Sequence, residues 1–284
     1  MSEPRALTPG LLRDWPLPTP DGGKHARGTV LVIGGARATV GAVRLAGVAA
    51  LRAGAGVLQL AVAAPGAAAL GVAVPEAAVL GLPERQGAIH GAAAVKALAD
   101  AVAGAGVVLL GPGLDEVAQT GTMLRGLVPE LGSEAALVLD AYALGALARV
   151  PALGERAAVL TPNTREGAIL LGRKLADLGA DAAEIARRYG AVTTLYGQVA
   201  TPDGRRWVEE GGDTGLGTSG SGDVLAGVVS GLLARGATPE QAACWATYVH
   251  AAAGQRLAAR VGRVGFLARE LVDEVPRVLS ELAS

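Results

Sequence analysis

The run Gly217-Thr218-Ser219-Gly220-Ser221-Gly222-Asp223 holds six Gly, Ser and Thr residues closed by one carboxylate. An apolar helical pattern (Val224, Leu225, Val228, Val229, Leu232, Leu233) begins directly behind it. A loop so poor in Cβ atoms can turn several backbone N–H groups toward one point. The helix adds its own unpaired N–H groups and the positive end of its dipole, so an anion is favoured over Gly220, Ser221 and Gly222. Asp223 stands where that anion would lie. A carboxylate beside a phosphate is unfavourable unless it has a task, and the fitting task is to take a proton from a hydroxyl that attacks phosphorus. The competing reading is a plain helix cap, since Asp is a good N-cap residue.

The elements that would have to position this loop follow from the hydrophobic pattern. Short β-branched or Leu-rich runs at 29–33, 57–62, 107–110, 137–139, 157–160 and 191–195 are continuously apolar, as expected of strands buried on both faces of a parallel sheet. Helical patterns at 42–53, 92–103, 120–131, 143–149, 165–171 and 182–189 alternate with them, which predicts a doubly wound α/β layer structure. After Thr201 the pattern changes. Pro202-Asp203-Gly204 signals a turn between short strands at 199–201 and 206–208, and two further helices are expected at 239–259 and 265–282. With no linker-like composition break and no internal repeat, residues 1–284 read as one domain.

In sheets of this kind the ligand lies at the carboxyl ends of the strands. Ile33-Gly34-Gly35, Gly111-Pro112-Gly113, Asp140-Ala141 and Thr161-Pro162-Asn163 all end strands there, and Gly41-Ala42 opens the helix after the first. Each alone suits an ordinary tight turn. Together they place a candidate site on the same edge as the anion loop.

Bulk composition narrows the alternatives. Of 284 residues 51% are hydrophobic and 18% charged, with 25 basic against 26 acidic side chains, which describes a well-cored globular chain. That balance argues against a nucleic-acid groove or a polybasic membrane face. The longest uncharged stretch, 53–75, is too interrupted by Gly and Pro for a membrane span. The N-terminus lacks the layout of a signal peptide, and the single cysteine, Cys244, allows no intramolecular disulfide and no cysteine-based metal site. A cytoplasmic protein is expected.

The motifs together resemble the ADP/ATP-dependent NAD(P)H-hydrate dehydratase family, a branch of the ribokinase-like superfamily. The resemblance runs from Lys24-His25-Ala26-Arg27-Gly28 through Gly41-Ala42, Ala50-Leu51-Arg52-Ala53-Gly54-Ala55-Gly56, Pro75-Glu76, Gly111-Pro112-Gly113-Leu114, Leu139-Asp140-Ala141 and Leu160-Thr161-Pro162 to Ser219–Gly227. The last motif is shared with related kinases, and its combination with the glycine-proline-glycine and threonine-proline motifs is the more specific sign.

The resemblance implies a three-layer ribokinase-like α/β fold, with a mostly parallel central sheet and helices on both faces. It also implies repair of hydrated NADH and NADPH (NADHX and NADPHX) with ADP as phosphoryl donor and Mg2+ bridging the phosphates. Asp223 would be the general base. Ala42, Gly113, Asn163 and Asp223 would contact the hydrated dinucleotide, while Gly220, Ser221 and Gly222 would hold the nucleotide phosphate. Glu76 and Asp140 stand at acidic family positions and are assigned to substrate positioning or to magnesium through water; for Asp140 an end-of-strand Asx turn is the alternative. Glu166 retains the acidic position at the start of the helix after the threonine-proline motif. No side chain is assigned as a direct metal ligand. Members commonly form tetramers. Only about two dozen residues precede the first expected strand, which leaves no room for the companion epimerase, so a separate epimerase is expected.

Three departures weaken the nucleotide half of the pattern. Asn163-Thr164-Arg165-Glu166 replaces the family's usual His-Pro-Gly-Glu, Tyr196-Gly197 replaces a Lys-Gly pair, and Asp213-Thr214 replaces Asn-Pro. Arg205 or Arg206 is a candidate for the missing charge. Two rival readings stay open: a small-molecule kinase of the same superfamily, such as a hydroxyethylthiazole kinase, and a non-catalytic dinucleotide or adenylate binder.

Overall fold

The structure is a computed structural model and describes residues 3–19, 21–149, 153, 156–212 and 214–283. In chain order the strands are β1 (Arg5–Ala6), β2 (Thr29–Ile33), β3 (Val57–Ala63), β4 (Ala77–Leu82), β5 (Glu84–Arg85), β6 (Ala88–Ile89), β7 (Val107–Leu110), β8 (Ala136–Leu139), β9 (Ala158–Leu160), β10 (Val192–Leu195), β11 (Gln198–Ala200) and β12 (Arg206–Val208). The helices are α1 (Pro9–Arg13), α2 (Val40–Arg52), α3 (Ala64–Ala73), α4 (Gly91–Ala103), α5 (Val117–Leu127), α6 (Tyr142–Leu147), α7 (Thr164–Leu171), α8 (Leu178–Tyr189), α9 (Ser221–Ala234), α10 (Pro239–Arg260) and α11 (Ala268–Ala283).

Ten strands form one sheet in the order β1-β12-β11-β10-β9-β8-β7-β2-β3-β4, and β5-β6 is a separate small hairpin. Every neighbouring pair in the sheet is parallel except the two that involve β11. The apolar runs are buried on both faces, as their lack of alternation requires. One core layer joins the sheet to α2, α9, α10 and α11. The other joins it to α4, α5, α6 and α8. Strand order reverses at β2: β3 and β4 lie on one side of it and β7, β8, β9 and β10 on the other. The crevice of a doubly wound sheet opens at such a switch point, here between the carboxyl ends of β2 and β7.

Besides the short elements β1, α1, β5 and β6, three features go beyond the sequence reading. α3 begins with Pro65 in its first turn, where a missing N–H costs nothing. It has no amphipathic stripe, so periodicity does not reveal it. β4 follows as the edge strand beside β3. The third is a tight hairpin between β10 and β11, whose two connecting residues, Tyr196 and Gly197, both have positive φ (48° and 83°). The usual Asn-Gly signal of such a turn is absent, so this hairpin is hidden in the sequence.

The tightest helix crossing is α9 on α2. A Cβ on Gly227 would lie 2.2 Å from the Ala46 carbonyl oxygen, and one on Gly231 would lie 2.3 Å from that of Ala50. The two glycines, four residues apart, therefore let two backbones meet with no side chain between them. Gly227→Ala should destabilise the fold by about 1–3 kcal/mol through overpacking. It should also lower turnover, because both helix N-termini lie at the site described next. The check is the urea midpoint of the variant against the wild type, and an unchanged midpoint would show that the helices separate freely.

Candidate active site

Backbone interlock builds the floor of the crevice. Gly35 N–H donates to the Pro112 carbonyl and Ala36 N–H to that of Gly113, both at 2.8 Å, joining the loops after β2 and β7. Thr39 Oγ1 donates to the Gly113 carbonyl at 2.6 Å. A Cβ on Gly34 would lie 1.9 Å from the Pro112 oxygen, and one on Gly111 would lie 1.8 Å from the Asp140 oxygen. The glycines at these strand ends are thus required by close backbone approach. Ala42, in the first turn of α2, lies beside Gly113, since its Cβ is 3.0 Å from where a Cβ on that glycine would stand.

The anion loop enters from the α9 side. Gly220 is the N-cap of α9 in a left-handed conformation (φ 89°) and makes no side-chain cap bond, with Ser221, Gly222 and Asp223 forming the first turn. Leu45 of α2 packs against Gly220, which sets the loop beside the α2 N-terminus. Asp223 is therefore not the N-cap. Its carboxyl is raised to about 6, by burial first and then by the charge of Glu166, and no hydrogen bond offsets the rise.

Asp140 ends β8 and is buried at 5% exposure, with one carboxylate oxygen accepting from Thr161 Oγ1 at 2.8 Å. Burial, with the charges of Glu166 and Asp223, raises its carboxyl to about 8. The next residue, Ala141, is held at φ 50°, a conformation rare for a residue with a Cβ. Asn163 and Glu166 form a capping box on α7. Asn163 Oδ1 accepts from the Glu166 N–H, and the Glu166 carboxylate accepts from the Asn163 N–H, both at 2.9 Å. The Asn163 oxygen is thus committed to the helix, and its side chain also hydrogen-bonds the Glu166 carboxylate. Burial also raises the Glu166 carboxyl. Asp140, Glu166 and Asp223 are therefore near enough for their charges to interact, with Arg165 opposing that charge at Glu166.

Not every expected residue joins them. Glu76 is exposed and sits just before Ala77, which pairs with Leu58 at the start of β3, so it lies on the opposite edge of the sheet. The cause is α3, which carries the chain back to the starting edge. Arg205 does not supply the missing charge: its guanidinium pairs with Asp203 and Glu240, both within 2.9 Å. Its hairpin tip also lies at the start of β10, because Ala200 pairs with Thr193. Tyr196, in contrast, lies at the carboxyl end of β10 and is 75% exposed. Asp213 lies outside the described residues, and Thr214 opens a short 3-10 turn that leads into the anion loop. One participant, His250 of α10, carries no sequence motif that points to it. Its Nε2 lies 2.9 Å from Ser221 Oγ, 29 positions away in the chain.

A sequence model of the NAD(P)H-hydrate dehydratase family matches residues 30–277. An ADP-dependent (S)-NAD(P)H-hydrate dehydratase of Xanthomonas campestris is 46% identical over 98% of this chain and 97% of its own. The chain belongs to the NAD(P)H-hydrate dehydratase family. It spans about half the length of other relatives: a bifunctional NAD(P)H-hydrate repair enzyme of Escherichia coli is 34% identical over 93% of this chain and 49% of its own. The ADP/ATP-dependent NAD(P)H-hydrate dehydratase of Bacillus subtilis, crystallised with ATP and Mg2+, superposes with a TM-score of 0.84 at 25% identity, covering 99% of this chain and 100% of its own. A hydroxyethylthiazole kinase from Pyrococcus horikoshii shares the fold at a TM-score of 0.60 and 17% identity.

The dehydratase pocket should show its buried charge in the pH dependence of stability. The Asp140 carboxyl ionises near its ordinary value when unfolded but only at about 8 when folded. Across that window the unfolded chain has released a proton that the folded chain retains, so stability falls as pH rises. Asp140→Asn removes this loss while keeping an acceptor for Thr161. At about pH 9 the variant should melt above the wild type, and at about pH 4 the two should melt together. A wild type that is the more stable at the higher pH would contradict the placement of Asp140.

Proposed function

We propose that this chain, acting as one domain, catalyses ADP-dependent dehydration of (S)-NAD(P)H-hydrate. The observation that carries the proposal is the position of Asp223: in the first turn of α9, beyond a left-handed Gly220 N-cap, with a raised pKa and no hydrogen bond among the described residues to use it structurally. Asp223 takes the proton of the C6 hydroxyl as that oxygen attacks the terminal phosphorus of ADP, and AMP departs. The ring-nitrogen lone pair then expels phosphate, and the neighbouring ring carbon releases a proton to restore the double bond. A carboxyl at about 6 is largely ionised near neutrality yet basic enough to accept the proton.

The remaining roles divide along the crevice. Gly220 and Gly222 hold the transferring phosphoryl group with N–H groups at the positive end of α9, while the Ser221 N–H donates to the Thr218 carbonyl and braces the turn between them. Ala42 and Gly113 present backbone to the dinucleotide, and the Asn163 NH2 group donates to it where the family has an imidazole. Among the described residues no group of three or more His, Cys, Asp and Glu side chains is arranged to hold a metal ion. That suits Mg2+, which keeps several waters and binds largely through substrate phosphates. The mutual repulsion of Asp140, Glu166 and Asp223 marks a pocket that a cation would stabilise. Asp140 and Glu166 would hold it through water, and it would neutralise charge on the phosphates.

No helix among the described residues is long and apolar enough to cross a membrane, and a cytoplasmic location is part of the proposal. So is a homotetramer, supported by the exposed Val72 of α3 beside the uncharged edge strand β4. The relatives that join two activities in one chain support a separate epimerase as the functional partner.

The test is to incubate the protein with hydrated NADH or NADPH, Mg2+ and ADP, and to follow the near-ultraviolet absorbance of the dihydronicotinamide. Absorbance should rise only when ADP is present. Consumption of ADP without that rise would mean a kinase that leaves a stable phosphate ester. Asp223→Asn should lower turnover by about 10²–10⁴-fold, with ADP and dinucleotide affinity little changed. A variant that kept a tenth or more of the wild-type rate would remove Asp223 from the mechanism.

A further inference from the structure

Ser221 carries the only hydroxyl in the first turn of α9, and it is nearly inaccessible in the protein alone, at 4% exposure. His250 reaches it from α10, which packs behind α9. The imidazole Nε2 lies 2.9 Å from Ser221 Oγ and 3.0 Å from the Ser221 carbonyl oxygen. A carbonyl oxygen can only accept, so the proton of this imidazole belongs on Nε2. Ser221 Oγ then sits beside an N–H and cannot donate to it. The hydroxyl keeps its own proton, and among the described residues no other acceptor for that proton is present. Burial in the Ala-rich body of α10 lowers the His250 pKa to about 4, so the ring is neutral at physiological pH and this single proton assignment holds.

We propose that His250 is a positioning residue of the anion loop, which clamps the Ser221 carbonyl and turns the Ser221 hydroxyl into a committed donor for a phosphate oxygen of the nucleotide. The inference rests on the reading of Gly220, Ser221 and Gly222 as the phosphate site. It adds a hydroxyl donor to that site and explains why a polar ring stands between Val249 and Ala251 in α10. By fixing the carbonyl of the first helical residue, His250 also holds the turn that bears Asp223. A serine without the clamp could spend its proton on a neighbouring carbonyl, as exposed serines at helix ends often do.

The test measures ADP affinity by calorimetry with Mg2+ present and hydrated cofactor absent. Ser221→Ala and His250→Ala should each weaken ADP binding about tenfold. The double variant should be no weaker than either single one, because both changes remove the same interaction. His250→Gln restores an N–H at the end of the side chain and should recover affinity to within about twofold. The proposal fails if the single losses multiply in the double variant, if Gln is no better than Ala, or if Ser221→Ala leaves ADP affinity unchanged. Should His250→Ala not fold, Ser221→Ala and His250→Gln carry the same decision. A protein that binds ADP through Ser221 but restores no dihydronicotinamide would overturn the dehydratase reading and leave the role of His250 intact.

Discussion

Two helices that touch backbone to backbone set the geometry on which the rest of the site depends. Gly227 and Gly231 of α9 face the Ala46 and Ala50 carbonyls of α2, with no room for a Cβ. The spacing of four residues on both helices turns this into a continuous seam. Because the helices meet so closely, their N-termini arrive side by side at the carboxyl edge of the sheet. One N-terminus presents Ala42 against Gly113, and the other presents Gly220 to Asp223. In the proposed reaction a phosphoryl donor and a hydroxyl acceptor must come within bonding distance, and this seam would bring their two half-sites together.

Electrostatics then gives the crevice its character. Three carboxyls from three elements (Asp140 after β8, Glu166 in α7, Asp223 in α9) are each raised by burial, and the charge of Glu166 raises the other two further. Opposite them stand backbone N–H groups at the head of α9. Such a pocket is at odds with itself when empty, and stability is lost to it. The mismatch is what one expects of a site whose complement arrives with the ligand. The left-handed backbone at Ala141 adds strain at the same edge.

The departures from the family pattern fall where the fold can absorb them. Asn163 accepts as a helix N-cap, so exchange of an imidazole for an amide leaves α7 anchored. Tyr196 occupies a turn position that needs positive φ, with its ring largely in solvent and Gly197 completing the turn. The hairpin geometry therefore survives the loss of a lysine, because the turn depends on φ and on Gly197 and not on the charge. Arg205, the first cation after Tyr196 in the chain, is held at the other edge by Asp203 and Glu240.

Much of this was legible from the chain. Continuous apolar runs announced the parallel strands, because burial on both faces leaves no polar alternation, and the six expected strands are present with ends shifted by a residue at most. The anion loop was legible as well, because glycine and small polar residues before an apolar helix have few other uses. α3 and the Tyr196 turn were not, since one lacks an amphipathic stripe and the other lacks its usual residues. Glu76 looked like Asp140 in sequence, and only the return path of α3 separates them by the depth of the sheet. The sequence by itself determined the layer class and the Gly-rich loop with its carboxylate ahead of an apolar helix, which are properties of local composition and period. Tertiary structure alone decided which carboxylates share a pocket, that Asp223 is free of capping, and that His250 meets Ser221. Those facts depend on through-space packing between segments far apart in the chain, and no local pattern encodes that distance.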